Sequence, residues 1–221
     1  MRRRLIPIAA CLLIAACAAI FLAGRPAFSG SLTADAPLPA RTAILPPSGL
    51  LQEGDWVFRH GTATDSRLIR ELSHSRFSHI GIVVQTRPEV WIAHATTDDD
   101  PAHPNQVLLT PLAEFAAPRL SRQTAYAHPR FLSPEQRRAS ARHAAAQAGR
   151  PFRLTARAEQ PYYCTILLLD AVHTQEPAFN PPWQNIDLAV FRGEYLFPEA
   201  FAQSDIEWLA VIPAQAPTDA R

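Results

Sequence analysis

The chain has 221 residues, a length typical of one domain or of one domain with appendages. It carries 21 basic against 20 acidic residues, and this balance argues against a nucleic-acid-binding protein, which is normally strongly basic. The apolar share of 48% argues against global disorder. Every basic residue is an arginine, so chemistry that needs a lysine, such as Schiff-base formation, is excluded.

The first 29 residues predict an export signal. Three arginines follow Met1, an apolar stretch runs from residue 5 to residue 24, and small residues before Gly30 suit a signal-peptidase site. Two other interpretations stay open. An uncleaved anchor is one, since about 20 apolar residues can span a bilayer. A lipoprotein signal is the other, since Cys11 and Cys17 each follow the sequence Ile-Ala-Ala. All three predict a main domain outside the cytoplasm, in the periplasm or cell envelope, and the anchor also attaches it to a membrane.

The rest of the chain predicts one folded domain of the α+β class at 49–214, between a proline-containing linker at 30–48 and a tail at 215–221. A helix capped by Asp65 is expected at 66–73. A second helix begins after the Ser133 capping box and closes at Gly149. The third, at 164–173, is apolar enough to be buried. Strands are expected at 55–59, 79–85, 90–95, 107–110, 124–127 and 207–212, forming an antiparallel sheet.

Cys164 is the candidate nucleophile. If the first 29 residues are removed, it is the only cysteine left, so it has no partner for an internal disulfide. A buried structural cysteine is the simpler reading of such a residue. However, Cys164 begins a predicted helix, where free N–H groups and the helix dipole favour a thiolate and predict a lowered pKa.

His79 and His94 are the candidate partners of this thiol. Each lies on a predicted strand, and the two strands follow one another in the chain. An even-numbered connection puts both histidines on one face of the sheet, opposite or diagonal to each other, whereas an odd one separates them. On a shared face, His94 orients the imidazole of His79, and Gly81 leaves room beside it.

These residues carry a resemblance to a known family. The chain resembles the YiiX/YebB-like branch of the NlpC-type, papain-fold cysteine hydrolases, circular permutants in which the histidine precedes the cysteine. The similar segments are 53–58, 78–83, 149–152, 163–165, 192–198 and 206–211. Two positions depart from the pattern. Ile166 stands where relatives often carry Glu, and His94 replaces a Glu of some relatives.

The resemblance implies a circularly permuted papain-like fold, with an antiparallel sheet packed against the helix that bears the nucleophile. It also implies a catalytic set of Cys164, His79 and His94 that acts through an acyl-enzyme and needs no cofactor. An envelope location favours amide bonds of peptidoglycan-type peptides. Relatives that act on acyl chains make a lipid amide or thioester hydrolase, or an acyltransferase, the alternative.

Four further expectations complete the sequence interpretation. Tyr162, Tyr163 and Ser78 are candidate substrate-binding residues. A zinc site formed by the catalytic set and a carboxylate from 98–100 is a minor alternative, because its spacing matches no compact zinc motif. The three aspartates at 98–100 are expected to form a solvated loop. A catalytically inactive envelope binding module is the remaining alternative.

Overall fold

The computed structural model describes residues 42–188 and 191–213. These residues form eight strands: β1 Trp56–Gly61, β2 His79–Gln85, β3 Trp91–Thr96, β4 Gln106–Pro111, β5 Ser121–Pro129, β6 Gln184–Asp187, β7 Arg192–Tyr195 and β8 Ile206–Pro213. The helices are α1 Thr64–Ser73, α2 Leu112–Phe115, α3 Pro134–Ala145, α4 Cys164–His173 and α5 Pro198–Ala202, with one 3₁₀ turn at Arg157–Glu159.

Six strands form one antiparallel sheet in the order β4-β3-β2-β1-β5-β8, and β6 and β7 form a separate hairpin. One face of the large sheet carries Trp56, Phe58, Ile80 and Ile82 and packs against α3 and α4. The opposite face carries Val57, Val83, Ile92 and Tyr126 and packs against α2. The fold is therefore α+β, as predicted.

A bulge decides which face His94 occupies. The connection between β2 and β3 has five residues, 86–90, and an odd connection by itself separates the two histidines. However, the pairing shifts by one residue between Val83 and Gln85. Continuing the Ile82↔Ala93 register places His94 beside Gly81 and diagonal to His79, on the same face. A Cβ added at Gly81 would lie 3.2 Å from His94 Cβ, which agrees with this register.

Eight of the ten residues of helix α4 are buried, and only Asp170 and His173 interrupt its apolar surface. Tyr163 precedes it in an extended conformation and provides no side-chain cap, so no side chain competes for the first N–H groups of the helix. Packing against β2 and β3 brings this N-terminus to the end of the sheet where β2 begins. The sequence therefore builds a buried helix whose first residue is the thiol.

The predicted bounds of β2 and α4 agree with the structure, and the Ser133 capping box is present. Helix α3 ends at Ala145, four residues before the predicted closing glycine. The sequence interpretation missed α2, α5 and the β6–β7 hairpin. The signal or anchor at 1–29 and the tail at 215–221 lie outside the described residues, as does most of the linker. Among the described residues, no helix is long and apolar enough to cross a membrane.

Candidate active site

Cys164 is buried at the start of α4, with 8% of its surface exposed. The backbone N–H groups of Ile80 and Thr165 favour the ionised form of its sulfur. Burial raises the pKa of the thiol to about 11, and the N–H groups only partly oppose this effect. The lowered pKa expected from the helix dipole is therefore wrong for this structure, because the loss of solvent outweighs the N–H groups at the helix start.

His79 and His94 form a direct pair. Nε2 of His79 lies 2.8 Å from Nδ1 of His94, and Nε2 of His94 lies 2.9 Å from Oγ1 of Thr110. When Nε2–H of His79 donates to His94 and Nε2–H of His94 donates to Thr110, Nδ1 of His79 carries a free lone pair. The chain of hydrogen bonds thus leaves one ring nitrogen of His79 available to take a proton.

Burial keeps both imidazoles neutral. It lowers the pKa of His79 well below its usual value, and the charge of Arg59 lowers it further. Burial also lowers the pKa of His94 to about 3, although the carboxylate of Asp99 opposes this shift. With the thiol protonated as well, the resting site is uncharged at the sulfur and at both rings. The raised pKa of the thiol and the lowered pKa of the imidazoles disfavour a thiolate that is formed before substrate binds.

The thiol lies on one face of the sheet and the imidazoles on the other, and they approach each other where the pairing between β2 and β3 ends. The pairing of β2 with β3 runs only from Ile82 to Gln85, so the N–H of Ile80, which lowers the pKa of Cys164, lies outside that ladder. In the part of the chain that the structure describes, no hydrogen bond joins this sulfur directly to the ring of His79. Both side chains instead line one cavity of about 330 Å³.

Two of the three candidate substrate-binding residues reach this cavity. Ser78 lines it and accepts a hydrogen bond from the N–H of Gly61 at 3.0 Å. Tyr163 also lines it, and its hydroxyl accepts from the N–H of Leu196. Tyr162 does not reach the cavity, because its ring packs in the core with the guanidinium of Arg150 stacked 3.5 Å from the ring centre.

An ion pair that the sequence interpretation missed forms part of the cavity wall. Nη1 and Nη2 of Arg59 donate to the two carboxylate oxygens of Asp99 at 2.6 and 3.0 Å. Asp99 is buried, so the expectation of a solvated loop at 98–100 is wrong for this residue. The sequence around Asp99 does not reveal this pairing, because its partner Arg59 lies 40 residues earlier, on β1. Thr110 was missed for the same reason, since only the fold brings it to His94.

A helix-borne thiol beside a buried imidazole pair on an antiparallel sheet defines a site of the cysteine-hydrolase class. A family model described as "Permuted papain-like amidase enzyme, YaeF/YiiX, C92 family" matches residues 50–178, and the chain belongs to this family. The chain is therefore a cysteine hydrolase of the amidase type, as predicted, with the permuted papain-like fold.

A solved structure shares this fold. The crystal structure of the metalloprotein YiiX from Escherichia coli O157:H7 is similar to this chain with a TM-score of 0.58 and 17% sequence identity. The similarity covers 75% of this chain and 98% of YiiX. No curated protein matches the sequence.

The donor set near the imidazoles can be compared with the needs of a metal ion. Ligand atoms of His79, His94 and Asp99 lie within 4.8 Å of one another, and Cys164 is not part of this group. All three are already engaged, the two rings with each other and the carboxylate with Arg59. A divalent cation would have to break the bond between the rings and share one carboxylate with a buried guanidinium. These contacts form a hydrogen-bond network, and a metal ion could bind to the three residues only by replacing part of it.

Proposed function

We propose that this protein is a cell-envelope cysteine hydrolase that cleaves an amide bond in peptidoglycan-type peptides. In this proposal Cys164 is the nucleophile, His79 the base and His94 the residue that orients it. The observation that carries the proposal is the 2.8 Å contact of His94 with His79, whose ring lines the cavity that also holds the thiol. Because Nε2 of His79 is occupied by His94, Nδ1 is left for the reacting proton.

The reaction proceeds in two halves. The sulfur of Cys164 attacks the carbonyl carbon while its proton moves to Nδ1 of His79, and the electron pair of the C=O bond moves onto oxygen. His79 then gives this proton to the leaving amine as the C–N bond breaks, which leaves a thioester on Cys164. A water molecule loses a proton to His79 and attacks the thioester, and the returning thiol recovers that proton as the acid product leaves. N–H groups at the start of α4 are suited to hold the oxyanion.

The lining of the cavity supports a peptide substrate. Arg119, Asp65 and Asp98 are exposed at its mouth, so charged groups of both signs are available to a substrate with free amino and carboxyl groups. An envelope location is supported by the arginine-led apolar segment at the N-terminus, which has the pattern of an export signal.

The proposal can be tested with the full chain and purified peptidoglycan stem peptides, by mass spectrometry of the fragments. We expect new amino termini to appear with the wild type and to be absent with Cys164→Ala. Asp205→Asn, which changes an exposed ion pair with Arg130, is the matched control and should retain full activity. Cleavage that persists in Cys164→Ala would refute the assignment of the nucleophile.

A second candidate substrate is an acyl amide or acyl thioester. The observation that favours it is an apolar part of the same cavity, formed by Ile69, Leu120, Phe152 and Leu154. In the same assay, hydrolysis of an acyl thioester with no cleavage of the peptides would favour this candidate and exclude the peptide substrate.

A further inference from the structure

The ion pair between Arg59 and Asp99 lies directly beside the imidazole pair. Its side chains are only 6% and 7% exposed. The guanidinium also lies over the ring of Phe115, at 4.7 Å from the ring centre, and donates to the carbonyl oxygen of Phe115 at 3.3 Å. The same ring packs against both histidines. Its centre lies 5.7 Å from that of His79 in a tilted arrangement and 5.0 Å from that of His94 in an edge-on one. The ion pair and the two imidazoles therefore form one packed unit.

Stability alone gives a poor account of this pair. Removing two charges from water carries a desolvation penalty that their mutual attraction often fails to repay, and apolar side chains of similar volume are commonly as stable or more so. The position of the charges next to two neutral rings therefore points to an effect on those rings.

The carboxylate is close enough to act on the pair. Oδ2 of Asp99 lies 3.8 Å from Nδ1 of His94, which in turn bonds to His79. The charged or titratable groups that face the two rings are Arg59 from β1, Asp99 from the loop after β3, and Cys164 from α4. The elements α2 and β4 contribute only an aromatic ring and a hydroxyl.

We propose that Asp99, held in place by Arg59, is a positioning residue that acts on His79 through His94. Its carboxylate balances the positive charge that forms when His79 takes the proton of Cys164. Arg59 keeps this carboxylate ionised and bound on both oxygens, so that Asp99 does not take the proton itself. The inference rests on the proposed role of His79 as the base.

Removing the positive charge and removing the negative charge should shift the pKa values of the imidazoles in opposite directions. In Arg59→Gln an unbalanced carboxylate remains 3.8 Å from His94, so the titration of the pair should rise by about 1–3 pH units. In Asp99→Asn an unbalanced guanidinium remains, so the pH at which the imidazoles titrate should fall. In this variant kcat should also fall about tenfold or more, with little change in KM. The double variant should return the titration towards that of the wild type.

The titrations can be measured without substrate, by NMR of the histidine side chains in full-length protein that also carries Cys164→Ala. The matched controls are Arg130→Gln and Asp205→Asn, which make the same charge changes in an exposed ion pair and should move neither ring. Equal titrations in wild type, Arg59→Gln and Asp99→Asn would overturn the inference and leave a structural role only.

Two further outcomes can be separated. If Arg59→Gln does not fold, Asp99→Asn decides alone, and an unchanged kcat in that variant would overturn the inference. If activity turns out not to depend on Cys164, the proposed function fails, whereas the NMR titrations still decide whether the ion pair acts on the rings.

Discussion

The reactivity of Cys164 towards an alkylating reagent gives the sharpest check on the electrostatics of the site. Only the thiolate reacts, so the rate follows the ionisation of the sulfur. The structure raises the pKa of this thiol to about 11, compared with 9.0 for an unperturbed cysteine. At pH 7 about one thiol in ten thousand is then ionised, instead of about one in a hundred. Iodoacetamide should therefore modify Cys164 about a hundredfold more slowly than an unfolded cysteine.

The same shift predicts a loss of stability at high pH. The thiol of the folded state ionises at a higher pH than that of the unfolded state, so stability is complete below pH 9 and declines as the pH rises towards 11. The difference of two pH units corresponds to about 2.7 kcal/mol at most. Burial also raises the pKa of Tyr126 and Tyr162 to about 12, so the effect must be measured as the difference between the wild type and Cys164→Ala.

The assay follows the Cys164 peptide by mass spectrometry between pH 6 and pH 11, so that Cys11 and Cys17 do not contribute. The same protein unfolded in guanidinium chloride supplies the reference, because the cysteine and its sequence neighbours are identical. An inflection below about 8.5 in the folded protein would refute the reasoning. It would mean that a thiolate and an imidazolium exist before substrate binds, and that the N–H groups and His79 outweigh burial.

Two substitutions test the packing around the site, and a third, at the start of α3, is a control away from it. Thr110→Val leaves the buried Nε2–H of His94 without its partner and should cost about 1–3 kcal/mol in urea unfolding, with a lower kcat. Gly81→Ala puts a Cβ 2.5 Å from the side chain of Ile92, so it should destabilise the protein by about 1–3 kcal/mol, and unchanged urea unfolding would contradict the register described above. Ser133→Ala removes the cap of α3 and should cost about 1 kcal/mol without changing the pH profile of activity.

Local patterns account for what the sequence predicted well. β2 alternates apolar residues on one face, and α4 is a continuous apolar run that starts after a proline, so their bounds could be predicted. The β6–β7 hairpin has four-residue strands with little alternation, which leaves no comparable signal. The class of enzyme followed from residues and order that resemble a known family.

The surroundings of the site depend on contacts that no local pattern encodes. Asp99 is one of three consecutive aspartates, and nothing in the sequence indicates which of them is buried. The pairing of His79 with His94 depends on a bulge, since the observed five-residue connection by itself would put the two rings on opposite faces. The pKa of Cys164 was misjudged because the helix start was visible in the sequence and the degree of burial was not.

The parting of β2 and β3 gives the protein an internal reporter. The amide of Ile80 lies outside the ladder between β2 and β3 and favours the ionised form of the Cys164 sulfur. Ionisation or acylation of the sulfur changes the charge next to this amide. The amide resonance of Ile80 should therefore report the chemical state of Cys164, without a label at the thiol and before any substrate is known.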